Sequence, residues 1–337
     1  MREGSRASRN SKIRASLPNA GLPTRASKAS VGLLEIGRHY RQLIQQTKGL
    51  LPIRTAVVHP VDVESLQGAI EGANAGLIIP VLVGPEAKIR AAAEKIKTDI
   101  SAYELVPTEH SHAAAAKAVE LARDSKVEAL MKGSLHTDEF MSAVVHEERL
   151  RTARRMSHVF VIDAPRYPRP LYITDAAINI YPTVEEKADI IQNAIGLAHV
   201  LGLDRPKVAI LSAVETVSPR IQSTLDAAVL CKMADRAQIT GGILDGPLAF
   251  DNAVSEEAAK IKGIVSSVAG RADIFVVPDL EAGNMLAKQL EYLAGAQMAG
   301  IVLGSRVPIV LTSRADKDQA RLASCAIALL LARKMQW

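Results

Sequence analysis

Residues 77–97 read LIIPVLVGPEAKIRAAAEKIK. Leu77–Val83 is apolar and rich in branched side chains, the pattern of a strand covered on both faces. Gly84-Pro85 ends it, and proline suits a first helical turn because its missing N–H has no partner there. Glu86–Lys97 is rich in Ala and long charged residues, which favour helix. The same unit recurs on either side. Upstream, Thr55–His59 reads as a strand and Asp62–Gly72 as a helix. Downstream come strand Tyr103–Val106, helix His112–Asp124, strand Glu128–Met131 and helix Thr137–His146. Strands alternating with helices predict an α/β protein whose mostly parallel sheet is covered by helices on both faces.

Residues 148–182 break the rhythm. Arg149, Arg151, Arg154, Arg155, Arg166 and Arg169 gather there among prolines. Ser157–Asp163 and Leu171–Thr174 read as an antiparallel pair, which suggests a domain boundary near 150–160. Alternation then resumes. Helices are expected at Val184–Leu201, Ile221–Arg236, Asn252–Lys262 and Ala282–Ala294. Strands are expected at Lys207–Leu211, Gly242–Leu244 and Asp273–Val277. Apolar runs Gly300–Leu303 and Pro308–Leu311 precede a final helix over 317–334, apolar on nearly every face and therefore buried.

Composition excludes several functions. Aromatics are 3% of the chain, too few for nucleic-acid binding by base stacking. The net charge of +5 belongs to the first 30 residues, where seven basic groups meet Glu3 alone. The remaining 307 residues carry 34 basic and 35 acidic groups. Residues 1–30 read as a disordered basic tail, with a transit peptide as the alternative. Cys231 and Cys325 stand in unrelated contexts, so neither a disulfide framework nor a zinc site is indicated. No apolar run reaches the ~18 residues of a membrane span. A cytoplasmic protein with no membrane or nucleic-acid partner is the expectation.

No Gly-x-Gly-x-x-Gly, P-loop, His-Glu-x-x-His or Gly-x-Ser-x-Gly occurs. Chemistry in this chain is expected to rest on positioning and electrostatics. Three segments place polar residues just past strand ends, where α/β sites lie. In Lys132-Gly133-Ser134, where a helix begins, free N–H groups and the lysine suit a phosphate, but the stretch by itself favours the simpler reading that Thr137 or Asp138 caps the next helix. After Pro278, Asn284 and Lys288 share one helix face, whether as a site or as a solvated surface. In Thr312-Ser313-Arg314-Ala315-Asp316, a buried strand delivers a hydroxyl, a guanidinium and a carboxylate at a helix start. A cap and an ion pair account for those residues equally.

Taken in order, Gly246-Pro247-Leu248-Ala249-Phe250-Asp251-Asn252, Val268-Ala269-Gly270, Pro278-Asp279-Leu280-Glu281-Ala282-Gly283-Asn284 and Ser313-Arg314-x-Asp316 resemble the phosphate acetyltransferase / phosphate butyryltransferase family. The likeness runs from about residue 50 to the C-terminus. It is greatest to the branch fused behind enoyl-CoA hydratase in bifunctional proteins.

The resemblance implies a two-domain fold like that of isocitrate and isopropylmalate dehydrogenases. Residues 31–155 and 316–337 would form the first domain, and 156–315 a second domain that joins a homodimer. The implied reaction converts acyl-CoA and phosphate to acyl phosphate and CoA in a ternary complex. Acetyl is the expected acyl group, with butyryl the alternative. Acyl-CoA and phosphate are substrates, and no permanently bound cofactor or metal is implied. Arg314 would bind phosphate, Ser313 would contact the reacting sulfur or carbonyl, and Asp316 would handle the thiol proton, with Asp318 as fallback. Lys132, Gly133, Ser134, Asn284 and Lys288 would bind phosphate or the acyl group.

One departure stands out. Where acetyltransferase members carry Asp-x-x-Arg, this chain has Asp138-x-x-Met141. Lys132 and the Arg-rich 149–169 stretch are then the available cations. The rival readings are a non-catalytic acyl-CoA-binding or dimerising module, and a metal-dependent dehydrogenase of the same fold.

Overall fold

The computed structural model describes residues 37–311 and 318–335. The first half contains α1 (Arg38–Gln46), β1 (Ile53–Val58), α2 (Val63–Asn74), β2 (Ile78–Gly84) and α3 (Glu86–Lys95). It continues with β3 (Glu104–Pro107), α4 (Ser111–Arg123), β4 (Ala129–Lys132) and α5 (Thr137–His146). The antiparallel pair is β5 (Ser157–Asp163) and β6 (Leu171–Thr174). Then come α6 (Val184–Val200), β7 (Lys207–Leu211), α7 (Gln222–Asp235), β8 (Ile243–Leu248), α8 (Phe250–Val254) and α9 (Glu256–Ile261). The last elements are β9 (Ile274–Val276), α10 (Leu280–Ala294), β10 (Gln297–Leu303), β11 (Ile309–Val310) and α11 (Asp318–Lys334).

All the described strands join one sheet, in the order β3-β2-β1-β4-β11-β10-β5-β6-β9-β7-β8. Pairing is parallel except at β11–β10, β10–β5 and β5–β6, where the chain direction reverses across the middle. The predicted mostly parallel sheet is therefore observed.

On one face a single apolar core runs the length of the sheet. Leu66, Ile89, Ile191, Leu230 and Leu329 reach it from α2, α3, α6, α7 and α11. Leu329, Leu330 and Leu331 are all fully buried, which explains the apolar pattern around α11. Each such side chain contributes about 1.5–3 kcal/mol by leaving water. On the other face the core is in two pieces. Phe140, Met141 and Leu311 belong to one, under α4 and α5. Ile173, Phe275 and Ala287 belong to the other, under α8, α9 and α10.

Strands β8 and β10 are longer than expected, and two helices differ from expectation in kind. The helix expected over Asn252–Lys262 is two short helices, because Ser255 is extended and its side chain accepts from Ala258 N to start the second. The helix Arg38–Gln46 was not anticipated beside the basic tail. Its hold is tertiary: Tyr40 Oη donates to Val161 O at 2.9 Å, and His39 Nδ1 lies 3.0 Å from Asp163 Oδ1.

Candidate active site

The chain changes faces of the sheet between β1 and β4. Helices α2 and α3 pack on one side, α4 and α5 on the other. In open α/β sheets the crevice outside the strand carboxyl ends at such a crossing is where ligands bind. Register brings three strand ends together there. Val58 pairs with Lys132, and Met131 with Val310. The chain thus enters the 312–317 segment from beside Lys132. Ser313, Arg314 and Asp316 lie outside the described residues; Asp318 is the first residue of α11.

The 132–134 turn is built against the end of β1. Gly133 N donates to Val58 O and Ser134 N to His59 O, each at 2.9 Å. These two N–H groups were expected to be free for an anion, and they are spent. The glycine is required by close approach instead: a Cβ on Gly133 would stand 2.9 Å from His59 O and closer still to Val58 O. The lysine is nearly buried, and its Nζ donates to Gly133 O at 3.3 Å.

The amides left for an anion are those of α5's first turn. Its N-cap is His136, whose side chain makes no capping bond. Neither Thr137 nor Asp138 caps, since both lie inside the first turn. Asp138 and Glu139 add negative charge there, so binding an anion requires nearby cations. Met141 is buried in the apolar core beneath α4 and α5 and leaves no charge in the slot where an arginine was expected.

Asn284 and Lys288 both stand on α10. Asn284 Nδ2 donates to Ala176 O at 3.2 Å, tying the helix to the loop after β6. Lys288 Nζ bonds Glu291 Oε2 at 2.9 Å and lies 5.7 Å from the Tyr292 ring centre. None of these contacts reaches the 132–134 turn. Within the Arg-rich stretch, Arg151, Arg154 and Arg155 line a cavity of about 390 Å³ with Val145, Ile178 and Asn179.

Two features escaped the sequence reading. The first is His59, whose only signal is a polar residue before Pro60 at a strand end. The second is His158 with Asp175. His158 pairs across to Val302 on β10, near where the two cores of that face part, and a Cβ on neighbouring Gly300 would sit 2.8 Å from its Nε2. Burial pushes the imidazole down to about 3, and its Nδ1 has no partner. Asp175 accepts from the backbone N–H groups of His158, Ala177, Ile178 and Asn179 and from Asn179 Nδ2. Burial raises its carboxyl above the ordinary range against the pull of those donors. A histidine inside a β-branched run reads in sequence as an ordinary strand residue. Only pairing across β10 exposes its position.

Residues 108–329 match the family described as "Phosphate acetyl/butaryl transferase". A phosphate acetyltransferase of Rhizobium meliloti is 61% identical over 296 residues, covering 88% of this chain and 94% of the relative. A phosphate butyryltransferase of Clostridium acetobutylicum is 41% identical over 296 residues, covering 88% and 98%. A branched-chain phosphotransacylase structure from Enterococcus faecalis V583 superposes with TM-score 0.72 at 28% identity, covering 83% and 99%. The dehydrogenase likeness of the fold is met by 4-hydroxythreonine-4-phosphate dehydrogenase from Klebsiella pneumoniae, with TM-score 0.50 at 15% identity over 85% of this chain and 99% of that one.

Proposed function

Because the chain belongs to the phosphate acetyl/butyryl transferase family, we propose that it exchanges coenzyme A for phosphate on an acetyl group at the joined ends of β1, β4 and β11. The observation that carries this reading is the register of those strands, which sets Lys132 beside the entry to Ser313-Arg314-x-Asp316. The higher identity to an acetyltransferase than to a butyryltransferase favours acetyl over butyryl.

In this mechanism a phosphate oxygen attacks the thioester carbonyl carbon. The C–O bond forms, the C–S bond breaks, and the electron pair leaves on sulfur, which takes up the proton lost by the attacking phosphate hydroxyl and departs as CoA–SH. Arg314 holds the phosphate in the two-pronged manner suited to guanidinium. Lys132 and the first turn of α5 supply further donors. Ser313 contacts the sulfur or the carbonyl oxygen. Asp316 carries the thiol proton. An ordinary Asp near 3.9 and a thiol near 8.5 differ by about 6 kcal/mol, so proton movement is concerted with C–S bond making or breaking, or the Asp is raised. Positioning both substrates supplies the rest. No bound cofactor is needed, and CoA enters as substrate.

The division into residues 31–155 with 316–337 and residues 156–315, as the family resemblance implies, is supported by the two-piece core on one face of the sheet, and we place the site on that face. Asn284 keeps a place on the acyl side through the loop it holds. Lys288 has to leave Glu291 to reach an anion. A homodimer forms through the second lobe, where Phe250, Met285, Tyr292 and Leu293 are exposed beside an apolar cavity of about 580 Å³. The enzyme works in the cytoplasm.

The test is phosphate-dependent thiol release from acetyl-, propionyl- and butyryl-CoA. Release is expected to be fastest with acetyl-CoA. Faster release from butyryl-CoA would reassign the acyl group, and none from any of the three would leave a non-catalytic acyl-CoA-binding module.

A further inference from the structure

His59 is the first residue past β1, and its backbone is left-handed, with φ 57. That region is uncommon for a side-chain-bearing residue and marks a position held by its surroundings. Its N–H donates to Val83 O at 2.7 Å. Its carbonyl accepts from Ser134 N and from Val61 N, both at 2.9 Å. Its ring Nδ1 lies 2.8 Å from Ser134 O.

The last contact fixes the chemistry of the ring. A carbonyl oxygen only accepts, so Nδ1 carries the proton and donates. Ser134 is therefore gripped at both main-chain groups by one residue. Its N–H goes to the His59 carbonyl and its C=O to the His59 ring. With Gly133 N on Val58 O, the turn has little freedom to move away from β1. What remains unspent is the Ser134 hydroxyl and the amides that open α5. Among the described residues, no side-chain hydrogen bond of Ser134 is formed.

We propose that His59 is a positioning residue for phosphate: its Nδ1–H holds the Ser134 carbonyl so that the Ser134 hydroxyl and the first amides of α5 face the anion. The inference rests on the reading that this turn receives phosphate. His59 acts through Ser134, and its effect falls on phosphate rather than on acyl-CoA. Misplacement of such a group by about 1 Å is enough to cost rate or affinity severely.

The test compares three variants with the full-length enzyme, reading KM for phosphate, KM for acetyl-CoA and kcat. His59→Gly removes the ring while keeping a residue at ease with positive φ, so the fold is spared. It is expected to raise the phosphate KM about tenfold and leave the acetyl-CoA KM within twofold. His59→Asn puts an amide donor near the place of Nδ1 and tolerates left-handed backbone. It is expected to recover most of the loss. His59→Gln, with its donor one bond farther out, is not.

Equal behaviour of the Asn and Gln variants, or a parallel rise in both KM values, would overturn the inference. Ser134→Ala and Lys132→Met separate it from the reading beneath it. If neither changes the phosphate KM, the turn is not the phosphate site, and the inference falls with it. If they raise it and His59→Gly does not, His59 alone is wrong.

Discussion

Gly133 donates its amide to the Val58 carbonyl at 2.9 Å, and the two backbones come so close that no side chain fits between them. The added Cβ of Gly133→Ala would meet backbone atoms of Val58 and His59, which cannot swing aside. We expect a loss of about 1–3 kcal/mol in stability, as for other overpacked sites. The displaced turn is also expected to lower kcat/KM for phosphate at least tenfold. Urea unfolding with steady-state kinetics checks both, and an alanine variant of normal stability would show that the turn has room to yield.

Lys187 and Asp226 form a second close relationship. Lys187 Nζ lies 2.6 Å from Asp226 Oδ2, and each residue is 5% exposed. Gln222 Nε2 donates to the other carboxylate oxygen at 2.8 Å. The pair pins α6 to α7. Removing one partner leaves the other charge buried alone, which costs about 3–5 kcal/mol. Lys187→Met and Asp226→Leu are each expected to destabilise by that order, and the double variant to recover most of it. A double-mutant cycle by chemical denaturation measures the coupling; additive losses would contradict it.

His158 predicts a dependence on pH. Burial lowers its pKa in the folded state to about 3, below the unfolded value of 6.5. The unfolded chain therefore takes up a proton as pH falls through 6.5 while the folded chain does not. Stability attributable to this group is complete above 6.5 and declines as pH falls toward 3, by up to about 1.4 kcal/mol per pH unit. His158→Asn removes that slope. The difference in unfolding free energy between wild type and variant, measured from pH 7.5 to 4.5, should shrink toward acid. A constant difference would mean that His158 takes up its proton at the same pH in the folded and unfolded chains, and so is not shifted by burial.

Asp316 is assigned the thiol proton. Asp316→Asn should lower turnover at least tenfold while CoA binding, followed by calorimetry, stays within threefold. Near-normal turnover would remove Asp316 from the mechanism and turn attention to Asp318.

The strand–helix rhythm was legible because it is a local property. In residues 78–83 and Glu86–Lys95 the residues' preferences agree with the element they join, Pro80 excepted. Helix 137–146 and strand 157–163 follow the sequence pattern to the residue. Arg38–Gln46 was not legible, since Tyr40 and its acceptor Val161, like His39 and Asp163, lie far apart in sequence and only tertiary contact makes that helix worth forming. At the candidate site, the presence of Lys132, Gly133 and Ser134 after a strand was readable. The fate of their hydrogen bonds was not, because the acceptors are carbonyls of Val58 and His59, 75 residues away.

Sequence by itself determined the α/β class, the buried final helix and, through its ordered motifs, the transferase family. Those rest on periodicity and on residue types, which one chain displays without folding. Tertiary structure decided that the Gly133 amide is spent on Val58 where the two backbones approach closely, that Met141 is core, and that His59 grips Ser134. Each of these depends on which strand lies beside which, and that is set when β4 returns across β1 to the far side of the sheet.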